Sequence, residues 1–441
     1  MAEAKKRKGF LRVLLSIVSS LVGIFLLFAL LNLIFNIALR QYIKSFSPVS
    51  YDASHTLVEP TLNAEQDYVF KTDGDFKIMQ ITDFHIGGGF LSYSKDKKAI
   101  RCAMTMVQNE KPDLLIYTGD NTFAIPYIAG TINNYMVAKT FIEMNERLGV
   151  YWTTVFGNHD TEAFGYANRQ AISNLYKNDK YHKCIYQSAE GITGKSNSCI
   201  LIEKNDGTIT KLLVLIDSND YQSKSIKDTI NWNYDTIHDD EVNWAKAKID
   251  HYTEVNGGVL VKSLFFFHIP ISEYEIAYQE LKDNNFNDTA NTKYISGLCD
   301  EEVNEVLNNG RGRIWYGGDR QEIDDISKLD SLFEKVSYSA EGMFCGHDHV
   351  NNIVMEYKGV LFSYGYSVDY LAYSKISTYG LQRGNTTIVV HNDGSWDETH
   401  NNYYTSGYVC EKGPIEEVNM DKWLYEDQLP NPHKTDSYHH D

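Results

Sequence analysis

Five times along this chain an apolar run breaks off at residues able to bind a metal ion. KIMQIT ends at Asp83 and His85, LLIYTG at Asp120, YWTTVFG at Asn158, His159 and Asp160, SLFFF at His268, and GMFCG at His347 and His349. Short apolar runs closed by glycine or polar residues read as buried strands. Open α/β sheets place ligands in the loops beyond the carboxyl ends of their strands, so five such clusters can converge on one site. Taken singly the clusters mean little. A D-x-H pair is an ordinary loop feature, a GD after a strand is often only a turn, and a lone histidine such as His268 is more often a satisfied core residue than a ligand. If the strand persists to its end, Asp83 and His85 lie two residues apart and point to the same face.

The intervening sequence predicts a strand at 76–82, a helix at 96–109, a strand at 113–117, a helix at 132–147 and a strand at 151–156. That β-α-β-α-β order belongs to a layered α/β domain with a largely parallel sheet. Further on, SCILIEK and TITKLLVLID flank a turn at Asn205 to Gly207 and read as a hairpin. A helix is expected at 241–252 and a short buried strand at 264–267. From Gly342 onward, GMFCG, NIVMEYKGVLFSYG and NTTIVVHN suggest a second, more antiparallel sheet.

The N-terminus differs in kind. Lys5, Lys6, Arg7, Lys8 and Arg12 precede Val13 to Leu39, a stretch of 27 residues without a charge. As a helix it would be about 40 Å long, enough to cross a bilayer core of about 30 Å with tilt. It reads as a transmembrane anchor, since a signal peptide would have an apolar region of about 7 to 15 residues and a small-residue cleavage site. The basic cluster favours a cytoplasmic N-terminus. The protein is then expected to be single-pass with an extracytoplasmic domain, or secreted if the segment is cleaved. The expected divisions are the basic stretch and anchor at 1–44, a stalk or linker at 45–75, the main domain at 76–400 and a tail at 401–441.

Beyond residue 44 the chain holds 34 Lys and Arg against 58 Asp and Glu, a net charge of −24. So acidic a surface is a poor nonspecific binder of nucleic acid, and none is expected as a partner. Six cysteines occur without a C-x-x-C pair, which disfavours a zinc ribbon. Cys184 and Cys199 are the nearest couple that could pair outside a cell, but the spacing cannot choose a connectivity. Asn287 and Asn385 begin N-x-S/T sequons. Asp319 in WYGGDR imitates the GD motif within a charged stretch and reads as a turn. The tyrosines of YGYSVDY read equally as pocket lining or as sheet packing.

In order, D-x-H, GD, GNHD, H and GHDH resemble the calcineurin-like metallophosphoesterase superfamily, over roughly residues 76 to 395. The surrounding text, IMQITDFHIG, YTGDN, VFGNHD, FFFHIPISEY and FCGHDH, is similar to a branch related to purple acid phosphatases. The resemblance implies a four-layer α/β/β/α sandwich and a site for two divalent metal ions. It implies Asp83, His85, Asp120 and His349 around one ion, and Asp120, Asn158, His268 and His347 around the other, with Asp120 bridging. His159 is then the catalytic histidine that binds phosphate and protonates the leaving oxygen, and Asp160 orients its loop.

The chemistry is consistent with those residue types. Two divalent ions about 3.5 to 4 Å apart can activate a bridging water and hold phosphoryl oxygens. Carboxylate, amide and imidazole ligands suit manganese, iron or zinc. The chain departs from true purple enzymes at two places. His85 stands where they carry glycine, and Phe123 stands where they carry a tyrosine, so the iron–phenolate colour is expected to be absent. The implied activity is phosphate-ester hydrolysis, with monoesters favoured, on a phosphorylated small molecule, protein or lipid headgroup. Two alternatives are a phosphodiesterase or pyrophosphatase acting on nucleotide or lipid-linked substrates, and a non-catalytic surface protein on the same scaffold.

Overall fold

The computed structural model describes residues 2–53, 55, 57–221, 229, 234–297, 299, 332–372, 383–416 and 437–440. Its helices are α1 (Ala2–Lys44), α2 (Tyr93–Glu110), α3 (Asn134–Leu148), α4 (Arg169–Tyr176), α5 (Asp239–Val255), α6 (Ser272–Asp283) and α7 (Leu332–Val336). The strands up to the middle of the chain are β1 (Thr61–Leu62), β2 (Tyr68–Lys71), β3 (Phe76–Ile81), β4 (Leu114–Thr118), β5 (Tyr151–Val155), β6 (Ser198–Glu203), β7 (Ile209–Leu215) and β8 (Ser263–Phe266). They continue as β9 (Thr292–Ser296), β10 (Ala340–Cys345), β11 (Val354–Tyr357), β12 (Val360–Tyr364), β13 (Gly384–Val390), β14 (Trp396–Asn402) and β15 (Ser437–His440).

The predicted β-α-β-α-β unit is β3-α2-β4-α3-β5, with β3, β4 and β5 side by side and parallel. Alternation along these strands divides their residues between two cores. Ile78, Leu114 and Ile116 face the other sheet with Leu213, Phe266 and Phe344. Met79, Ile81, Leu115 and Tyr117 face α2 and α3, with Ala103, Met106, Phe141 and Ile142. Helix α3 starts where the Asn133 side chain accepts from the Met136 N–H, and it ends at Gly149, whose φ of 77° only glycine adopts readily.

Among the described residues the first sheet runs β15-β14-β13-β3-β4-β5 and the second β1-β2-β6-β7-β8-β10-β12-β11-β9. The second sheet buries its outer face under α5, α6 and α7 through Ile249, Tyr252, Tyr274, Leu281 and Phe333. Helices, sheet, sheet and helices thus make four layers around three apolar cores, the α/β/β/α sandwich that the resemblance implied.

The structure reassigns the late strands. NTTIVVHN does not join the second sheet: β13 lies antiparallel against β3, with Ile388 opposite Ile78. The second sheet is mixed, because β7, β8, β10 and β12 are parallel neighbours. The sequence pattern marks these segments as strands but carries nothing about their partners. Within the segment expected as a stalk, described residues pack on the domain: β2 pairs with β6, Phe46 is fully buried, and the Val49 N–H donates to the Leu148 carbonyl. Residues 403–416 also pack, with the Tyr408 hydroxyl donating to Glu110 and Arg101 to the Gly413 carbonyl. All six cysteines are free. Asn385 is buried, with its amide donating to the Tyr408 hydroxyl, whereas Asn287 is exposed. Asp319 lies outside the described residues.

Helix α1 is exposed from Arg7 to Leu27, and one face of it then packs against α2 and α3. Leu39 and Ile43 are buried, Asn36 donates to Thr140 Oγ1 at 3.0 Å, and Arg40 pairs with Glu143.

Placing β13 in the core predicts that Ile388→Ala costs about 2 to 5 kcal/mol, the usual cost of emptying a buried aliphatic site. Urea unfolding reads it, and an unchanged midpoint would remove β13 from the core.

Candidate metal centre

All five polar clusters lie at carboxyl ends of strands and meet along one edge of the sandwich. β3, β4 and β5 supply Asp83 and His85, Asp120, and Asn158 to Asp160 from the first sheet; β8 and β10 supply His268 and the His347–His349 pair from the second. Gln80 ties the two sheets together beneath them, donating to Thr118 Oγ1 at 2.9 Å and to the Cys345 carbonyl at 3.0 Å.

Strand alternation is not what brings Asp83 and His85 together. β3 ends at Ile81, and both residues adopt left-handed backbone, at φ 51° and 49°. Asp120 (51°) and His347 (77°) do the same. Such conformations are uncommon outside glycine and collect where function requires them. Ladder-like backbone bonds hold the turns: the His85 N–H donates to the Asp120 carbonyl at 2.8 Å and the Asp83 N–H to the Gly119 carbonyl at 3.2 Å. Gly119 is required here, since a Cβ on it would sit 2.7 Å from the His268 ring.

The ligand-type atoms fall into two groups that share one carboxylate. Asp83, His85, Asp120 and His349 form the first, and Asp120, His268 and His347 the second. Asp120 Oδ2 stands 3.3 Å from His85 Nε2 and 3.2 Å from His268 Nε2, while Asp83 Oδ1 stands 3.4 Å from His349 Nε2. Asn158 Oδ1 joins the second group, 3.1 Å from His268 Nε2. All seven residues that the motifs nominated as ligands are therefore together.

These residues fit a pair of metal ions. Asp83 Oδ1, His85 Nε2, Asp120 Oδ2 and His347 Nε2 are buried without a well-formed hydrogen bond, meeting only one another or the neighbouring imidazoles, and polar atoms left so are costly unless something else engages them. Atoms bound about 2.1 Å from one ion stand roughly 3 to 3.4 Å from each other, the spacing seen here. Outer partners fix the imidazoles. His268 Nδ1 donates to the Thr118 carbonyl at 2.7 Å, which leaves the Nε2 lone pair facing Asp120. Asp369 stands behind His349 in the same way, 3.2 Å from its Nδ1, and lies farther from His85 Nδ1, at 3.9 Å.

Electrostatics mark the same need. Burial pulls His268 down, but the Asp120 charge and hydrogen bond, with Asp83 behind them, push it up to about 9. Burial likewise works against ionised Asp120, yet His268 and His159 hold it well below the usual carboxylate range. Burial drives His347 the other way, well below the ordinary imidazole value, so the positive charge beside Asp120 rests on His268 and His159.

His159 and Asp160 follow Asn158. The His159 N–H donates to Asp120 Oδ1 at 2.7 Å, and its Nδ1 bonds to Glu162. Burial lowers the His159 pKa, but Asp120 and Glu162 raise it above its ordinary value. Asp160 accepts from the Gly157 and Thr122 N–H groups, each at 2.9 Å, and so ties the β4 and β5 loops together. Burial, reinforced by Asp120, pushes its carboxyl up to about 6. Phe123 stacks edge-on against His159 and His85, at 4.9 and 5.2 Å between centroids, with no hydroxyl to offer a metal.

Several functional neighbours escape the sequence reading. Asp369 lies inside the YGYSVDY run, where only the tyrosines drew notice; Tyr364 packs in the sheet core and donates to Asp348 at 2.8 Å. Glu162 follows GNHD by two residues, but nothing distinguishes it from other surface acids until the turn at His159–Thr161 folds it back. Asp96, on α2, accepts from the Gly87 and Gly88 N–H groups at 2.9 Å and fixes the glycine loop after His85. A separate cavity of about 850 Å3, lined by Asp67, Tyr68, Tyr176, Lys248 and others, contains none of these residues.

The sequence matches the calcineurin-like phosphoesterase family over residues 76–351. The chain belongs to the calcineurin-like phosphoesterase family. It is a metal-dependent phosphoric ester hydrolase by that membership. Relatives of this phosphoesterase include a protein of Arabidopsis thaliana named probable inactive purple acid phosphatase 28, 24% identical over 69% of this chain and 73% of that one. Phosphatase DCR2 of Saccharomyces cerevisiae is 26% identical over 64% of this chain and 45% of its own length. Among solved structures, a dimetal phosphatase from Danio rerio aligns with 74% of this chain and 96% of its own at 10% identity and a TM-score of 0.45.

Two outcomes follow for this phosphoesterase. Asp369→Ala should weaken metal binding about 10- to 100-fold, the usual cost of losing a partner behind a ligand, and equilibrium dialysis against Mn²⁺ reads it. Because the proton on His268 must leave before Nε2 can ligate, metal affinity should rise with pH up to about 9. Calorimetry in buffers of different ionisation enthalpy should show proton release on binding.

Proposed function

We propose that the protein is a membrane-anchored phosphatase that hydrolyses phosphate monoesters, with Asp83, His85, Asp120 and His349 holding one metal ion and Asp120, Asn158, His268 and His347 the other. The observation that carries this reading is the shared Asp120: one buried carboxylate lies within 3.3 Å of histidines from two different sheets, beside a histidine paired with Glu162. Oxygen and imidazole donors without a thiolate suit manganese, iron or zinc. When bound, such a pair supplies positive charge for the phosphoryl oxygens and makes water nucleophilic at neutral pH.

The chain's own residues supply the rest. His159 and His349 keep 11% and 12% of their side chains exposed and mark the mouth of an otherwise buried cluster. Asp120 and Glu162 favour the protonated form of His159, so it reaches the ester as an acid and can give its proton to the leaving oxygen. Asp160 holds the loop that aims it. Phe123 keeps water from the apolar side of both His159 and His85. The plant relative is named inactive, but in this chain every residue of the two groups and the His159–Glu162 pair is in place. The phosphatase names of the relatives support the monoester over the diester. Helix α1, uncharged over Val13–Leu39, supports the anchor, and the basic residues before it support an extracytoplasmic domain.

The test is hydrolysis of p-nitrophenyl phosphate against bis-p-nitrophenyl phosphate by the Mn²⁺-loaded full chain in detergent. The monoester should turn over faster, and faster turnover of the diester would make the enzyme a phosphodiesterase. His159→Ala should keep its metal and lose on the order of 10²- to 10⁴-fold in kcat. Asp83→Asn should lose metal, and unchanged content and activity would sink its assignment.

A further inference from the structure

The apolar length of α1 does not match the part of it that stands alone. Phe10 to Leu27 is exposed on all sides; these 18 residues span about 27 Å, close to the roughly 30 Å of a bilayer core. The uncharged stretch runs on from Phe28 to Leu39, a further 12 residues or about 18 Å. Over this excess one face of the helix packs on the domain while Leu30, Leu33, Ile34 and Ile37 stay exposed on the other. The first domain contact is Phe28, edge-on to Phe90 at 5.6 Å, followed by Asn32, whose side chain accepts from the Phe90 N–H. The membrane surface therefore falls at the loop that carries Phe90.

That loop belongs to an exposed apolar rim. Leu91 is 52% exposed, Tyr127 76%, Ile132 45% and Tyr166 73%. Backbone bonds join the three segments: the Leu91 N–H donates to the Ala129 carbonyl, and the Tyr166 N–H to the Ile132 carbonyl. Behind the rim Ile125, Ala129 and Leu371 pack with Phe123, the ring that touches His159 and His85. A packed apolar cluster thus joins the exposed rim beside α1 to the edge of the metal centre. Soluble proteins seldom expose such a patch without a partner, and tyrosine is the residue favoured at the level of lipid headgroups.

We propose that this rim rests in the headgroup layer of the membrane crossed by α1, and that the metal centre takes a phosphate monoester carried by a lipid. The inference rests on the anchor and phosphatase readings above and names their substrate class. The phosphate enters beside His159 while the acyl-bearing part stays over Phe123 and the rim. In the reaction the bond between phosphorus and the lipid oxygen breaks, a bond from phosphorus to the oxygen of water forms, and the His159 proton goes to the leaving oxygen, so that a lipid alcohol and inorganic phosphate result.

The test uses the full chain, loaded with Mn²⁺, in phosphatidylcholine vesicles with brominated acyl chains. Tryptophan is introduced singly as Tyr127→Trp, Tyr166→Trp, Phe25→Trp and Val259→Trp, and the fluorescence each adds is followed. Quenching is expected at 127, 166 and 25 and not at 259. Quenching at 25 without 127 and 166 overturns the rim and leaves the anchor standing; none at 25 overturns the anchor and the inference together. In the same vesicles, phosphatidic acid is compared with soluble glycerol 3-phosphate, which bears the same ester. Confinement to the surface should favour the lipid in kcat/KM by on the order of tenfold or more. Equal or better hydrolysis of the soluble ester overturns the lipid substrate alone, and hydrolysis of neither overturns the phosphatase reading with it.

Discussion

The site depends on one carboxylate. Asp120 sits at the end of β4 in left-handed backbone, with one oxygen taken up by the His159 N–H and the other left to face His85 and His268. Those histidines come from different sheets, so Asp120 is the point at which the two halves of the sandwich are joined electrostatically. A buried anion costs a great deal unless positive charge answers it. Protons on His268 and His159, or a pair of metal ions, provide that answer. The surrounding structure exists to hold this exchange in place.

The support is layered outward. The Thr118 carbonyl behind His268 and Asp369 behind His349 orient those two rings, so that their Nε2 atoms look inward. Asp160 and Asp96 pin the loops that carry the residues, each through two backbone N–H groups. Beneath them Gln80 crosses between the sheets. The glycines at 119, 157 and 346 occupy places where a Cβ would strike His268, Asp120 or Thr82. A rigid parallel core thus pays for strained loops at its edge, the usual arrangement of sites built on α/β sheets.

The apolar rim gives the position of the anchor a consequence. A tether alone would hold a domain near a bilayer in any orientation. Here the last third of α1 is welded to α2 and α3 through Asn36, Leu39, Arg40 and Ile43, so the helix sets the attitude of the domain as well as its address. The side of the domain that α1 packs against is the side on which Phe90 and Leu91 lie, next to the segment that carries Phe123.

The residues that meet at the candidate metal centre were legible in the sequence because each follows an apolar strand, and a strand that ends in Asp, His or Asn leaves a local signature. The parallel order of β3, β4 and β5 was legible for the same reason, since helical and strand periods alternate along the chain. Partner choice was not: β13 reads as a strand of 384–390 whether it pairs with β12 or with β3, because hydrogen bonding between strands is made by backbone that every sequence shares. Asp369, Glu162 and Asp96 were equally invisible, for a carboxylate becomes a positioning group only when folding buries it against a chosen imidazole or N–H. Sequence by itself determined which side chains could bind metal and that strands would present them at one edge. Only the tertiary structure decided how left-handed turns aim Asp83 and His85, how Asp369 comes to stand behind His349, and which face of the domain packs on α1, because each of these depends on distances between segments far apart in the chain.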